Sequence, residues 1–386
     1  MADGGDERTD ADERIDADER IDADERDGSS GLDNSDGRNG GSELDEVASA
    51  FTELAAWCEG SSELYERLCR IVADDPELLE LAAAVPDDRS TANVFLAALQ
   101  FRLLRGADGR LAEYYPSVTE DAREPDGALG DALRDFCAAQ ADALRPLLRT
   151  RRTQTNAVRR CAALYPAVAR VAREVDGPLA LVELGPSAGL NLLFDRYRYD
   201  YGDAVAGAVD SPVTIRSEVA GGDPPLPDDP PAVRSRVGID LHPMDVTDPD
   251  DADWLRSLVW PDLPERRRAL DDALALARRD PPRVVEGDLL DDLPDVLGDI
   301  PSDVPVLVVS TLVLYQLPPD VREAVRETLA ERAGERPLHW LSGDDELGEN
   351  DGIRLEWTRA VDGEVRTDLL AGFEQHGRWI EWYGSG

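Results

Sequence analysis

Leu179–Phe194, LALVELGPSAGLNLLF, leaves few folds open. Leu179–Leu184 is apolar at nearly every position, which suits a strand buried on both faces of a parallel sheet. Gly185 and Gly189 then bracket Pro186, Ser187 and Ala188, so a tight turn is forced. The apolar run after Gly189 has helical spacing. Strand, glycine turn and helix form the opening of a βαβ unit, and an α/β domain is expected.

The same alternation continues towards the C-terminus. SRVGIDLHPMDV, PRVVEGDLL, VPVLVVSTLVLYQL and RPLHWLSGD read as strands, with DADWLRSLV, PERRRALDDALALARR and PPDVREAVRETLAERA as helices. IRLEWTRA, VDGEVRTDLLAGFEQ and HGRWIEWY alternate in period two, with turns at Asp362–Gly363 and His376–Gly377. They predict an antiparallel meander on the sheet edge. Residues 43–175 differ, because apolar residues there recur at three- and four-residue spacing between Ser, Thr, Asp or Pro starts and Gly or Pro stops.

The expected organisation is an acidic tail over 1–42, an all-helical domain over 43–175 and a Rossmann-like α/β domain over 176–386. The last carries an insertion at about 195–235, where alternating Tyr197, Tyr199 and Tyr201 suggest a small β-hairpin. The fold class is α/β, with a mostly parallel sheet and an antiparallel C-terminal edge. The tail, three near-copies of DADERI followed by a Gly- and Ser-rich stretch, cannot bury enough surface to offset its ordering entropy and is expected to be disordered.

Charge points to solvent rather than substrate. The chain has 82 acidic and 41 basic residues, every basic one an arginine, for a net charge of −41. Carboxylates hold water and hydrated cations in molar salt, where the Debye length is roughly 3 Å and self-repulsion is screened. A halophilic cytosol fits that balance. No basic stripe is present to neutralise phosphates, which argues against nucleic acid as a main partner. The charged N-terminus does not resemble a secretory signal, and no apolar run reaches the length of about 18 residues that spans a membrane. A cytoplasmic protein acting on a small molecule is expected. Cys58, Cys69, Cys137 and Cys161 are scattered without CxxC or Cys/His spacing, so they read as buried thiols and no metal is expected.

Within ELGPSAGLN the pattern E-x-G-x-S-x-G resembles motif I of class I S-adenosylmethionine-dependent methyltransferases, with Ser187 where glycine is usual. Small residues in such a turn let the backbone approach a ligand and present N–H groups to a carboxylate or phosphate. GIDLHPMDV, RVVEGDLLDDLP and VPVLVVSTLVLYQLPPD resemble that family's second, third and fourth strands, in order. The resemblance implies bound S-adenosylmethionine. Glu183, Gly185, Ser187 and Gly189 would form its loop, Asp240 would take the ribose hydroxyls and Asp288 the adenine amino group. Ser310, Thr311 and Tyr315 would face the substrate. The fourth strand lacks the D/N-P-P-Y tetrad of amino-methylating enzymes, which turns the expected substrate away from base amines. From about residue 45 onward, RTQTNAVRRCAALYP, ELGPSAGLNLLFDRYRYDYG, SPVTIRSEV, GIDLHPMDVTDPDDADWLRSLVWP, DPPRVVEGD, PLHWLS and HGRWIEW together resemble the uncharacterised DUF2332 family.

GPSAG is also a G-x-S-x-G, the nucleophile elbow of α/β-hydrolases, in which Ser187 would be acylated and His339 or His376 would complete a triad. Against this, helical rather than strand-like sequence precedes the turn, Glu183 would oppose a developing oxyanion, and no HGG-type loop occurs earlier. A non-catalytic binding protein on the methyltransferase scaffold is a third reading. Gln154, Asn156 and Arg159 lie on the segment leading into the first strand, where they would bind the methionine carboxylate or the substrate, with Thr153 as the N-cap of a helix. His339 is expected at the carboxyl end of the sheet, where ligands of α/β proteins bind. Asn191 would reach back to the turn or be solvated, and DDELGEND reads as acidic surface. No catalytic group is singled out, because methyl transfer needs little beyond alignment and a local base.

Overall fold

The computed structural model describes residues 40–346, 352–361 and 364–384. The predicted tail, apart from Gly40–Ser42, and the turn at Asp362–Gly363 lie outside the described residues. The chain divides into two compact units, one running to Thr153 and including Ser257–Pro264, the other Gln154–Arg256 with Glu265 onward.

The first unit is helical, with α1 (Gly40–Cys58), α2 (Glu63–Ala73), α3 (Pro76–Ala82), α4 (Thr91–Leu104) and α5 (Leu129–Thr150). Helix α4 is buried on every side from Ala92 to Leu103 except at Asn93 and Arg102, as an apolar helix at the centre of a bundle must be. Its Phe95 meets Phe51 of α1 edge-on at 5.5 Å. Ser62 and Asp75 cap α2 and α3 by accepting N–H groups of their first turns. Ser257–Pro264 joins this unit because the buried Gln100 amide donates to the carbonyls of Ser257 (2.9 Å) and Val259 (2.7 Å), while Ser62 Oγ donates to Asp262.

The second unit is built on a sheet. In chain order it contains α6 (Cys161–Ala172), β1 (Leu179–Leu184), β2 (Arg198–Asp200), β3 (Val205–Gly207), β4 (Thr214–Arg216), β5 (Glu218–Gly221) and β6 (Val233–Asp240). Then follow α7 (Pro249–Ser257), α8 (Pro264–Ala277), β7 (Arg283–Glu286), α9 (Leu289–Gly298), β8 (Val306–Thr311) and α10 (Pro319–Glu335). The chain closes with β9 (Leu338–Glu346), β10 (Ile353–Val361), β11 (Glu364–Phe373) and β12 (Trp379–Trp382). Nine of the described strands form a sheet ordered β5-β12-β11-β10-β9-β8-β1-β6-β7. Its β9-β8-β1-β6-β7 part is parallel and Rossmann-like, and β10, β11 and β12 continue it as an antiparallel edge. One face of the parallel part is covered by α9 and α10, where Leu293, Leu297, Val325 and Leu329 pack on Val182, Leu184, Val306 and Val308.

Three local expectations change. The helical boundary falls after Thr153 rather than at 175. Helix α6 belongs with the sheet because the Tyr201 hydroxyl donates to Ala162 O (2.8 Å) and Tyr165 lies 4.5 Å from Tyr199, ring to ring. The insertion contains the expected hairpin, β2 and β3 antiparallel with Asp200 level with Val205, but it is larger than that hairpin. Strands β3, β2 and β4 form a small separate sheet with β2 and β4 parallel, and β5 reaches the far edge of the main sheet beside β12.

The third change concerns the helix expected after the glycine turn, which is only a 3-10 segment, Asn191–Arg196. Side chains from outside it bond its carbonyls: Tyr197 and Tyr199 hydroxyls donate to Leu190 O and Phe194 O (2.6 Å each), and Arg236 donates to Leu192 O (2.6 Å). These bonds fix the short segment, and all three tyrosines of the insertion are buried.

Candidate functional site

In this strand order the chain leaves β1 to one side, through β6 and β7, and returns on the other side as β8. A crevice therefore opens at the carboxyl ends of β1 and β8, the switch point at which open α/β sheets bind ligands. Register aligns the strand ends there: Leu184 is level with Ile239 and Ser310, Ser310 with Ser342, and Asp240 with Glu286.

The glycine turn closes over the end of β1. Gly185 and Gly189 adopt left-handed φ angles of 62° and 71°, and Ser187 does so too at 53°, rare for a residue with a Cβ. The glycines are required by neighbouring protein. A Cβ on Gly185 would fall 2.3 Å from Val313 Cγ2, and one on Gly189 would fall 2.8 Å from Pro282 Cγ. The N–H groups of the turn also point inward. Gly185 donates to Ile239 O (2.9 Å), Ser187 to Asp240 Oδ2 (2.8 Å) and Gly189 to Pro186 O (2.9 Å). The turn thus does not offer those amides to a phosphate, contrary to the expectation from small residues alone.

Asp240 braces the turn. Besides Ser187 N–H it accepts from His242 N–H (2.9 Å) and from Gln154 Nε2 (3.3 Å), both on Oδ1. Burial raises its pKa, with the His242 and Ser187 amides working the other way. Gln154 also donates to His242 O (2.8 Å), and its own carbonyl accepts from Ser187 Oγ (3.3 Å). Asn156 Nδ2 donates to Pro186 O (2.6 Å), while its buried Oδ1 has no partner. Gln154 and Asn156 are therefore brought against the turn. They act from an extended segment, because their bonds across to the turn delay the helix until Val158.

Glu183 lies behind the turn on the α6 face and is 3 % exposed. Its Oε1 accepts from Asn191 Nδ2 (3.3 Å), and Oε2 has no partner. Asn191 is buried, and its Oδ1 accepts the Cys161 thiol (3.3 Å). Burial pushes the Glu183 carboxyl up to about 8 against the Asn191 hydrogen bond, and nearby Asp240 adds to the rise. At neutral pH it is mainly protonated.

The other expected site residues fall in different places. Asp288 follows Gly287, whose N–H donates to Asp240 O (3.0 Å), at the carboxyl end of β7; it is exposed and caps α9, accepting Leu290 N–H (2.8 Å). Arg159 turns towards the β11–β12 connection and donates to His376 O (3.1 Å). Tyr315 is half-buried in the short turn after β8. His339 is not at the carboxyl end. It is the second residue of β9, level with Leu307 and hence with Leu181, near the amino ends of the strands. There it accepts Trp357 Nε1–H (3.2 Å), and burial followed by the Arg359 charge depresses its pKa to about 4. His376 faces Arg266, which donates to its Nδ1 (3.2 Å).

The structure adds Asp344, which opens the run DDELGEND that reads as acidic surface. It is buried at the carboxyl end of β9, accepting Ser310 Oγ (2.5 Å), Ser342 Oγ (3.1 Å) and the N–H groups of Val313 (2.8 Å) and Leu314 (2.9 Å). The signal available in the sequence was positional, since residues just past the ends of parallel strands line the crevice. A recess lined by Leu297, Ile300, Arg332 and Arg336 lies instead at the amino ends of β8 and β9. Arg336 there caps the end of α9 through the carbonyls of Leu297, Ile300, Pro301 and Val304.

Residues 48–382 match the model of a family described as uncharacterized protein conserved in bacteria, DUF2332. The chain belongs to the DUF2332 family. No curated protein matches the chain, and no solved structure does. The match takes in every residue of the turn and its surroundings, so the crevice is part of the DUF2332 region. Among the described residues no group of His, Cys, Asp and Glu could hold a metal ion, and no helix is long and apolar enough to cross a membrane.

Proposed function

We propose that this DUF2332 chain is an S-adenosylmethionine-dependent methyltransferase acting on a small molecule, with the cofactor in the crevice at the ends of β1 and β8. The observation that carries the reading is the polarity of the turn. Its amides are turned inward, while a buried acceptor beside it, Asn156 Oδ1, has no partner and the Asp240 carboxyl faces the turn. Such a surface suits a ligand rich in donors and positive charge and disfavours a phosphate. S-adenosylmethionine carries an ammonium, ribose hydroxyls and a sulfonium and no phosphate, so the residues fit it better than a dinucleotide or a nucleoside triphosphate. When bound, it supplies an electrophilic methyl group.

Asp240 is the residue to hold the ribose, since its Oδ2 accepts one N–H and has a lone pair to spare. Asn156 Oδ1 supplies an acceptor nearer the turn. Asp288 serves as a helix cap and is not needed. Titration calorimetry in molar potassium chloride tests the reading, with S-adenosylmethionine and S-adenosylhomocysteine against NAD and ATP. Heat from the first pair alone is expected, and folded protein that gives none with either refutes it.

One observation favours a second reading, a serine hydrolase: Ser187 has the left-handed φ that a G-x-S-x-G elbow requires. Its Oγ, however, donates to Gln154 O, and Asp240 occupies its N–H. Labelling by a fluorophosphonate probe, lost in Ser187→Ala, would establish that chemistry. A non-catalytic scaffold would give neither cofactor heat nor label.

A further inference from the structure

The mouth of β8 is shaped as unusually as the glycine turn. Leu312 has φ 55°, and with Ser187 it completes the non-glycine residues of positive φ among those described. They sit past the carboxyl ends of adjacent strands, on opposite lips of one crevice. A β-branched residue, Val313, follows Leu312 and lies directly on Gly185 Cα, close enough that a methyl group there would collide with it. Strained backbone of this kind persists only where the surroundings over-determine it. Asp344 Oδ1 takes the N–H of Val313 and of Leu314, with its Oδ2 steadied by Ser310 and Ser342, while Leu312 N–H donates to Gly343 O (2.9 Å) and Gln316 Nε2 donates to Leu312 O (3.0 Å). Trp340 Nε1 in turn donates to Ser310 Oγ (3.1 Å), anchoring the group to the sheet core.

We propose that Leu312–Leu314 is the movable lip of the crevice, that Val313 resting on Gly185 is its closed position, and that Asp344 is the positioning residue that holds it there. The proposal rests on the cofactor reading for what enters, but not for the lip itself. The strain at Leu312 favours lifting, and the two amide bonds to Asp344 favour closure. Opening also releases Leu312 N–H from Gly343 O of β9 and turns about Leu314, which is buried in the core. A ligand reaching Asp240 from the β8 side displaces Val313 from Gly185.

The native cysteines are all buried, so a thiol introduced by Val313→Cys is the fast-reacting one in the chain. Its alkylation by iodoacetamide, compared between the Asp344 background and Asp344→Ala, reads the lip directly. At least tenfold faster labelling in the Ala background is expected, with amide exchange in β1 unchanged. Asp344→Asn, which keeps an oxygen to accept both amides, should restore most of the protection. A thiol that reacts at the unhindered rate beside native Asp344, equal rates in both backgrounds, or exchange that rises throughout β1 overturns the proposal.

S-adenosylhomocysteine is the probe for the second half. If it binds by calorimetry, it should change the labelling rate, and binding with no change overturns the entry route. If it does not bind at all, the cofactor reading fails while the labelling comparison still decides the lip.

Discussion

Glu183→Gln isolates the buried acid behind the turn. Wild-type Glu183 is 3 % exposed, one oxygen accepts from Asn191 and the other has no partner. Burial lifts its pKa from 4.5 to about 8 in the folded chain. Between those values the unfolded chain releases the proton and the folded chain keeps it, so the unfolded state binds fewer protons. The stabilising contribution is fully present below pH 4.5 and is lost as pH rises through about 8. The slope is about 1.4 kcal/mol per pH unit, so the wild type loses about 3 kcal/mol between pH 5 and pH 7 from this group. Gln titrates in neither state and still offers an oxygen to Asn191. Other titrating groups, Asp240 among them, are present in both proteins and largely cancel in the difference. Urea unfolding in molar potassium chloride at a series of pH values gives that difference. The variant should gain on the wild type steadily from pH 5 to 8, and a difference that is flat or falls with rising pH refutes a neutral buried Glu183.

Gly185→Ala should destabilise the second unit by about 2–4 kcal/mol, because the new Cβ needs a left-handed φ and meets Val313; urea unfolding measures it. Asp288→Ala should cost about 1 kcal/mol through its lost cap and leave calorimetric cofactor affinity unchanged, whereas an adenine contact would weaken binding as well. His339, depressed to about 4 from 6.5, makes stability fall as pH drops from 6.5 towards 4, because only the unfolded chain gains the proton there; acid unfolding of His339→Gln should show a shallower decline over that window.

The sheet was legible where one local property decided the outcome. LALVEL and VPVLVVST are apolar on both faces, and both became fully buried parallel strands. The helix after the glycine turn was not legible, because residues remote in sequence decide it: Arg236 on β6 bonds one of its carbonyls, and tyrosines beyond its end bond others. His339 was misplaced by strand direction, since RPLHWLSGD does not reveal that β9 begins at Leu338. Only the register with β8 does. Asp344 was hidden by composition. In a chain with 82 acidic residues, an acid within DDELGEND looks like more solvated surface. Burial of that one carboxylate follows from Ser310, Ser342 and two amides converging on it from different strands and a loop.

Those hidden features share a cause. Left-handed backbone at Ser187 and Leu312 costs roughly 1–3 kcal/mol at each residue. In each case a carboxylate from a neighbouring strand helps to offset it: Asp240 on β6 accepts the amide of Ser187 itself, and Asp344 on β9 accepts the two amides that follow Leu312. Hydrogen bonds to a charged acceptor contribute about 1.5–3 kcal/mol each, enough to balance the strain without locking the segment beyond reach of a ligand. The carboxylates therefore flank β1 and β8 from outside, each holding one strained lip. Neutralising either one should loosen its own lip and leave the other in place, a pattern that amide exchange at Ser187 and at Val313 can resolve separately. Loss of protection at both from a single substitution would mean that the two lips form one unit.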